Sequence, residues 1–227
     1  EEYSRRLDFR TGTLERTLLW RTPAGERLQV RSTRQVSFTE RHLTLMTLEV
    51  TLLEGVAPVT VSSQLLNRQD GQDEYHVADA ALGEGDDPRQ AQPMDHRVLL
   101  PRLSRVRNGR ATLGYCCANS QMTVACAVEH LVEADCELKV RTEVDDDTAK
   151  SVVHTRMVAG QTLKITKFAA FHTSRGVPPD ELADRCDDTL DRAIKRGADA
   201  LTLDQRHWLD DFWERSDVVV ADRPRTQ

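Results

Sequence analysis

Asp145, Asp146 and Asp147, together with seven histidines and five cysteines, are the side chains of this 227-residue chain best equipped for metal or acid–base chemistry. Three consecutive aspartates offer hard oxygen ligands to Ca²⁺ or Mg²⁺. The stretch "EVDDDTAK", however, has neither the glycine nor the distant glutamate of an EF-hand loop, and it stands where a hairpin needs a turn. It reads as a turn. The histidines are scattered, without the HExxH pair that sets two zinc ligands on one helix face. Cys116, Cys117, Cys126, Cys136 and Cys186 lack a CxxC spacing, and the adjacent Cys116 and Cys117 would point to opposite faces of a strand. They read as free thiols in a reducing cytoplasm. Glu129 and His130 could form an acid–base couple by type, but neighbours in a strand diverge in the same way. There is no GxSxG elbow, P-loop or dinucleotide fingerprint, so the sequence predicts no catalytic site, cofactor or metal in this chain.

Three other groups are candidates for binding rather than reaction. Segment 67–97 is polar, acidic and rich in turn formers, and there Tyr75, His76, Asp87, Arg89 and His96 could serve a ligand or simply sit on a surface loop. Arg34 shares the apolar parity of its strand. A guanidinium so placed needs a carboxylate partner, a bulge that turns it outward, or a sugar or phosphate to hold. Trp208, Phe212 and Trp213, in "HWLDDFWERSDVVV", line one side of a helix and would each bury on the order of 150–250 Å². They pack on the chain's own core, or seat a neighbouring domain, or do both.

The elements that must position these groups are mostly strands. Leu28, Val30, Ser32, Arg34, Val36 and Phe38 share one parity, which predicts a half-buried strand with those residues inward. Residues 42–53 carry Leu, Thr and Val on both parities, as in a strand covered on both faces. Asn108-Gly109 tolerates the positive φ angles of a type I′ turn and predicts a hairpin. Further strands are expected over 122–131, 137–144, 149–158 and 163–172, close together and without helices between them, which implies an antiparallel sandwich. At Pro178 the pattern changes. Proline and acids open a helix over 178–197 that closes with Lys195, Arg196 and Gly197, and Thr202 with Gln205 has the spacing of a capping box for a second helix. The expected division is a β-sandwich over 1–175 and two helices over 176–227.

A net charge of −6 argues against nucleic acid or an anionic membrane as main partner, and no apolar run has the length of a membrane span. The chain opens on Glu1 rather than Met, and is expected to be a piece of something longer.

Several stretches, in order, resemble the N-terminal region of glycoside hydrolase family 65, the maltose, trehalose and kojibiose phosphorylases and related hydrolases. They are "LDFRTGTLER" before Trp20, "VRSTRQVSFTERHLTLMTLEVT" with Arg34 and Ser37 at the family's Arg-x-x-Ser positions, and "SSQLLNRQDG" followed by Asp87-Pro88-Arg89. "HWLDDFWERSDVVV" is similar to the family's linker helix, and "LGYCCANSQMTVACAVEH" to actinobacterial members. The resemblance implies a galactose-mutarotase-like β-supersandwich, beginning after the family's first strands, whose linker helices lead to an (α/α)₆ barrel absent here. In the family that barrel carries a glutamate general acid, and phosphate or activated water attacks the sugar with inversion. The expectation is therefore a non-catalytic, cytoplasmic domain of an enzyme acting on α-glucosidic disaccharides. It would serve barrel packing, homodimer assembly and substrate-entrance loops, with Trp208, Phe212 and Trp213 as packing residues. The alternatives are a free-standing carbohydrate-binding module and a mutarotase-like aldose epimerase.

Overall fold

A computed structural model describes residues 2–67 and 97–217. In chain order these form β1 (Glu2–Asp8), β2 (Thr13–Arg21), β3 (Arg27–Val36), β4 (Leu43–Glu54), β5 (Val56–Leu66), β6 (Leu99–Arg107), β7 (Arg110–Cys117), β8 (Met122–Ala134), β9 (Leu138–Val144), β10 (Thr148–Val158) and β11 (Thr162–Arg175). Helices α1 (Pro179–Arg196) and α2 (Ala198–Ser216) follow. The strands pair antiparallel throughout, in one sheet of order β1-β2-β3-β4-β11-β8-β7-β6 and a second of order β5-β10-β9. This is the mainly-β sandwich with two C-terminal helices that the alternation predicts.

The large sheet is buried on both faces, but by different partners. Toward the small sheet it sends Leu28, Leu52, Leu163 and Ile165, which pack with Ala57, Val153 and Met157, while Ala111, Leu113, Tyr115 and Val128 make a neighbouring cluster. Toward α1 it sends Leu43, Leu45, Ala125, Ala127, Phe168 and Ala170, against Leu182, Ala183, Cys186 and Leu190. The alanines keep the sheet surface low, so a helix backbone can approach it closely. β4 is apolar on both parities because Leu43 and Leu45 serve one partner and Leu52 the other.

The same division overturns the expected inward parity of β3. Leu28 is buried, but Val36 is 64% and Phe38 48% exposed, while Gln35 and Ser37 are the buried pair at that end. There the covering element is α2, on the opposite face: Thr202 Oγ1 donates to Gln35 Oε1 at 3.1 Å. A single strand thus changes its inward face where its cover changes side.

The predicted hairpin is present. Asn108 and Gly109 have φ of 52° and 83°, between the paired Arg107 and Arg110. Asp145 Oδ1 accepts the backbone N–H groups of Asp147 and Thr148 at 2.8 and 2.7 Å, so "EVDDDTAK" is a turn held by its own first aspartate. Among the described residues no helix is long and apolar enough to cross a membrane.

Charge fixes α1 at one point. Arg110 reaches Glu129 at 2.6 Å, Asp187 at 3.1 Å and Asp191 at 2.5 Å, while Arg105 reaches Asp187 at 2.6 Å. Burial works against the Arg110 charge, yet the hydrogen bonds to Asp191, Glu129 and Asp187 outweigh it and hold the guanidinium pKa above its ordinary value. Removing the cation strands the half-buried Glu129 carboxylate and leaves Asp187 to Arg105 alone. Arg110→Met is expected to lower the unfolding free energy in urea by roughly 3 kcal/mol. Asp191→Asn, whose carboxylate is 68% exposed, should cost under about 1 kcal/mol. Equal losses from the two variants would refute the central place given to Arg110.

Candidate functional site

The aromatic run near the end of the chain lies on α2, and a buried amide seats that helix. Leu201, Gln205 and Leu209 recur every fourth residue and turn inward, with Gln205 fully buried between the leucines. Its Oε1 accepts the Phe38 N–H at 3.2 Å, and its Nε2 donates to the carbonyls of Thr11 and Gly12 at 3.3 and 3.4 Å. One side chain thus ties α2 to the β1–β2 turn and to the loop after β3 with both atoms of its own amide satisfied, whereas the Nε2 of the neighbouring Gln35 has no partner among the described residues. The approach is close. Gly12 has φ +63°, and a Cβ there would lie 2.7 Å from Gln205 Nε2 and 2.9 Å from Leu209 Cδ1. Farther along, Trp213 Nε1 donates to the Phe9 carbonyl at 2.8 Å.

Outside this seat the aromatic rings stack on one another. Phe38 and Trp208 are parallel within 11° at 4.7 Å, and Trp208 and Phe212 within 7° at 5.9 Å. Trp213 meets Phe212 edge-on at 5.0 Å. Phe38, Trp208 and Phe212 nevertheless remain 48, 40 and 38% exposed, and Phe9 on the adjacent turn is 67% exposed. The result is a continuous outward aromatic surface whose rings already take their stacking contacts from each other. Of the residues singled out from sequence, Trp208 and Phe212 lie on this surface, while Trp213 is half-buried and anchored to the turn.

Phe38 and Gln205 belong to the same site, and sequence reasoning missed the role of both. Thr202 and Gln205 do not cap α2. The helix begins at Ala198 after Gly197, so both residues lie inside it, and Thr202 Oγ1 donates back to the Ala198 carbonyl at 3.0 Å. Apolar residues upstream, Leu201 first, extend the inward stripe toward the N-terminus. A polar residue midway between Leu201 and Leu209 was the signal available for Gln205.

The remaining sequence candidates separate. Glu129 binds Arg110 on the helix-covered face of β8, whereas His130 turns to the other face, where its Nε2 lies 2.8 Å from Ser63 Oγ. They form no couple. Arg34 is exposed and has neither the carboxylate partner nor the bulge expected of it among the described residues. The five cysteines are free thiols, and burial pushes those of Cys126 and Cys186 up to about 12. Tyr75, His76, Asp87, Arg89, His96 and the strand-like Val218-Val219-Val220 lie outside the described residues.

Comparison with known proteins agrees with this architecture. The family model for the glycosyl hydrolase family 65 N-terminal domain matches residues 1–212. An uncharacterized glycosyl hydrolase of Mycobacterium tuberculosis is 32% identical over 225 residues, which are 99% of this chain and 27% of that protein. The alpha,alpha-trehalose phosphorylase of Thermoanaerobacter brockii is 23% identical over 96% of this chain and 27% of its own length. A solved chain provisionally assigned as a kojibiose phosphorylase, from the human microbiome, superposes with a TM-score of 0.77 over 97% of this chain and 26% of that one. Its 12% identity makes that a likeness of fold. The chain therefore spans about a quarter of the length of the curated relatives it matches.

Two predictions follow from the geometry. Gly12→Ala should unseat α2: amide exchange in 205–213 is expected to quicken at least tenfold, with global stability falling by about 2 kcal/mol. Unchanged exchange would show that Gln205 does not hold the helix. For His130, burial first and the Lys167 charge second lower the imidazole pKa to about 4. An unfolded histidine titrates near 6.5, so between these values the unfolded chain binds the extra proton and stability falls as the pH falls. About 2 kcal/mol should be lost between pH 7.5 and pH 5 on this account. His130→Gln should flatten that part of the profile, and an unaltered slope would assign it elsewhere.

Proposed function

The chain belongs to glycosyl hydrolase family 65 as its N-terminal domain, and from that membership we propose that it is the non-catalytic sandwich of a disaccharide-cleaving enzyme. Its aromatic surface docks the catalytic (α/α)₆ barrel. The parent enzyme acts on α-glucosidic disaccharides such as trehalose, kojibiose or maltose, with inversion and with phosphate or water as nucleophile. The observation that carries this reading is the exposed Phe38–Trp208–Phe212 stack on a helix held rigidly by Gln205. A rigid apolar face of this kind suits a permanent partner. The same sandwich would support homodimer assembly and lend loops to the substrate entrance.

Two observations weigh against the rival readings. A sugar-binding module offers a free aromatic face, whereas Trp208 is already stacked with Phe38 and Phe212. A mutarotase-like epimerase needs His and carboxylate in one cleft, and Glu129 and His130 lie on opposite faces of β8.

The test compares this chain with the full parent polypeptide. The chain alone should release no glucose 1-phosphate or glucose from trehalose, kojibiose or maltose, while the parent should turn over at least one of them. Trp208→Ala combined with Phe212→Ala should cost the isolated chain about 1–2 kcal/mol and the parent at least twice that. Turnover by the chain alone, or equal losses in both forms, would overturn the proposal.

A further inference from the structure

On the face of the large sheet opposite α2, the small sheet stops short and leaves a cleft of about 300 Å³. Strand register brings its basic residues together. Arg34 on β3 pairs with Met46 on β4, Met46 with Lys167 on β11, and Lys167 with His130 on β8, so these four stand in one row across the sheet. Arg16 on β2 stands in the next row, paired with Ser32, which is in turn opposite Leu48. Arg34 and Lys167 are two strand spacings apart, about 10 Å between backbones, within the converging reach of two long side chains.

The charges in this cleft are unbalanced. Among the described residues, neither its wall nor that of the adjoining hollow, where Arg5 joins Arg16 and Arg34, contains an Asp or Glu. This holds in a chain with 37 acidic against 31 basic residues. Lys167 gives one hydrogen bond to the Gln64 carbonyl at 3.0 Å, which leaves two of its three protons for another acceptor. The Arg16 guanidinium lies 5.4 Å from the centre of the Tyr3 ring. Among the described residues His130 Nδ1 is buried without a hydrogen-bond partner, although its other nitrogen meets Ser63. Elsewhere the arginines most deeply engaged in ion pairs, Arg105 and Arg110, have their carboxylates supplied. Among the described residues the cations of the cleft stand together without counter-charges, beside a buried unsatisfied nitrogen, an arrangement that suits an acceptor-rich anion from outside.

We propose that this cleft binds a phosphate monoester of about monosaccharide size, with its phosphoryl oxygens on Arg34, Arg16 and Lys167 and its body on the floor of Met46, Leu48 and Ile165. A phosphate monoester carries nearly two negative charges and three acceptor oxygens, which suits a forked guanidinium set better than a single carboxylate does. The apolar floor suits the C–H face of a sugar ring, and the volume admits one such ring. The cleft and the aromatic surface lie on opposite faces of the sheet, so the failure of either reading leaves the other standing.

Calorimetry on this chain at pH 7 and low salt tests the assignment with glucose 6-phosphate, inorganic phosphate and glucose as probes. Glucose 6-phosphate should bind with a Kd below 1 mM (order of magnitude), inorganic phosphate at least fivefold more weakly, and glucose not measurably. Arg34→Gln and Lys167→Gln should each weaken the sugar phosphate at least tenfold. Arg141→Gln, remote on β9, should not change it. The His130 ring resonances should shift on saturation with the phosphate ester and stay put with glucose. Glucose binding as tightly as its phosphate, or full affinity in Arg34→Gln, would overturn the proposal. Equal affinity for inorganic phosphate would reject the ester. Arg34 is exposed, so its variant decides the matter even if Lys167→Gln does not fold.

Discussion

Two covers on one sheet impose the main constraint of this structure. The eight-stranded sheet is too wide for a three-stranded partner to hide. Among the described residues, burial on the near face centres on Leu28, Val50, Leu52, Leu163, Ile165 and the cluster around Leu113, and beside them lies the cleft. The far face is closed by helices, which need small residues beneath them, and Ala125, Ala127 and Ala170 supply these. Both the outward aromatic surface and the cationic cleft follow from where each cover stops. The first sits on the element that closes the far face. The second is the part of the near face that the small sheet leaves uncovered.

The seating of α2 depends more on hydrogen-bond completeness than on area. Leu201 and Leu209 provide modest apolar burial, and Gln205 between them satisfies two backbone carbonyls and one backbone N–H that the helix would otherwise seal from water. An unpaired backbone group in such a place costs as much as a lost hydrogen bond or more, so the amide is worth more than an apolar residue of its size. It also orients the helix. With Gln205 fixed from below and Trp213 tied to Phe9 at the end, the helix cannot roll to hide Trp208 and Phe212, and their exposure is a consequence of that restraint.

Much of this was legible in the sequence, for reasons that can be named. Strands β8 to β11 and the Asn108–Gly109 hairpin are written in local alternation and turn chemistry, which act over a few residues. Helix α1 carries acids first, bases last and glycine beyond. What failed was long-range. The inward face of β3 changes because α2 packs near Gln35, 167 positions away. The Thr202–Gln205 spacing suggested a cap, and the one local sign of a buried glutamine, its place midway between Leu201 and Leu209, gains meaning only once the helix is known to start at Ala198. Phe38 looked like the last inward residue of a strand, and its partnership with Trp208 exists only once the chain has folded back.

The cleft shows the same limit more sharply. Arg34, Lys167 and His130 are unremarkable in their own strands, and only the pairing of β3, β4, β11 and β8 aligns them. Burial lowers the pKa of Lys167, and burial first and the Lys167 charge second lower that of His130, so positive charge on this partly desolvated surface is held at a cost. Such a cost weakens the fold unless something relieves it. Carboxylates on neighbouring strands could have done so, yet Glu49 and Glu133 lie on the alternate parity of β4 and β8 and face away from this row. The arrangement therefore keeps a local electrostatic cost that a bound anion would remove.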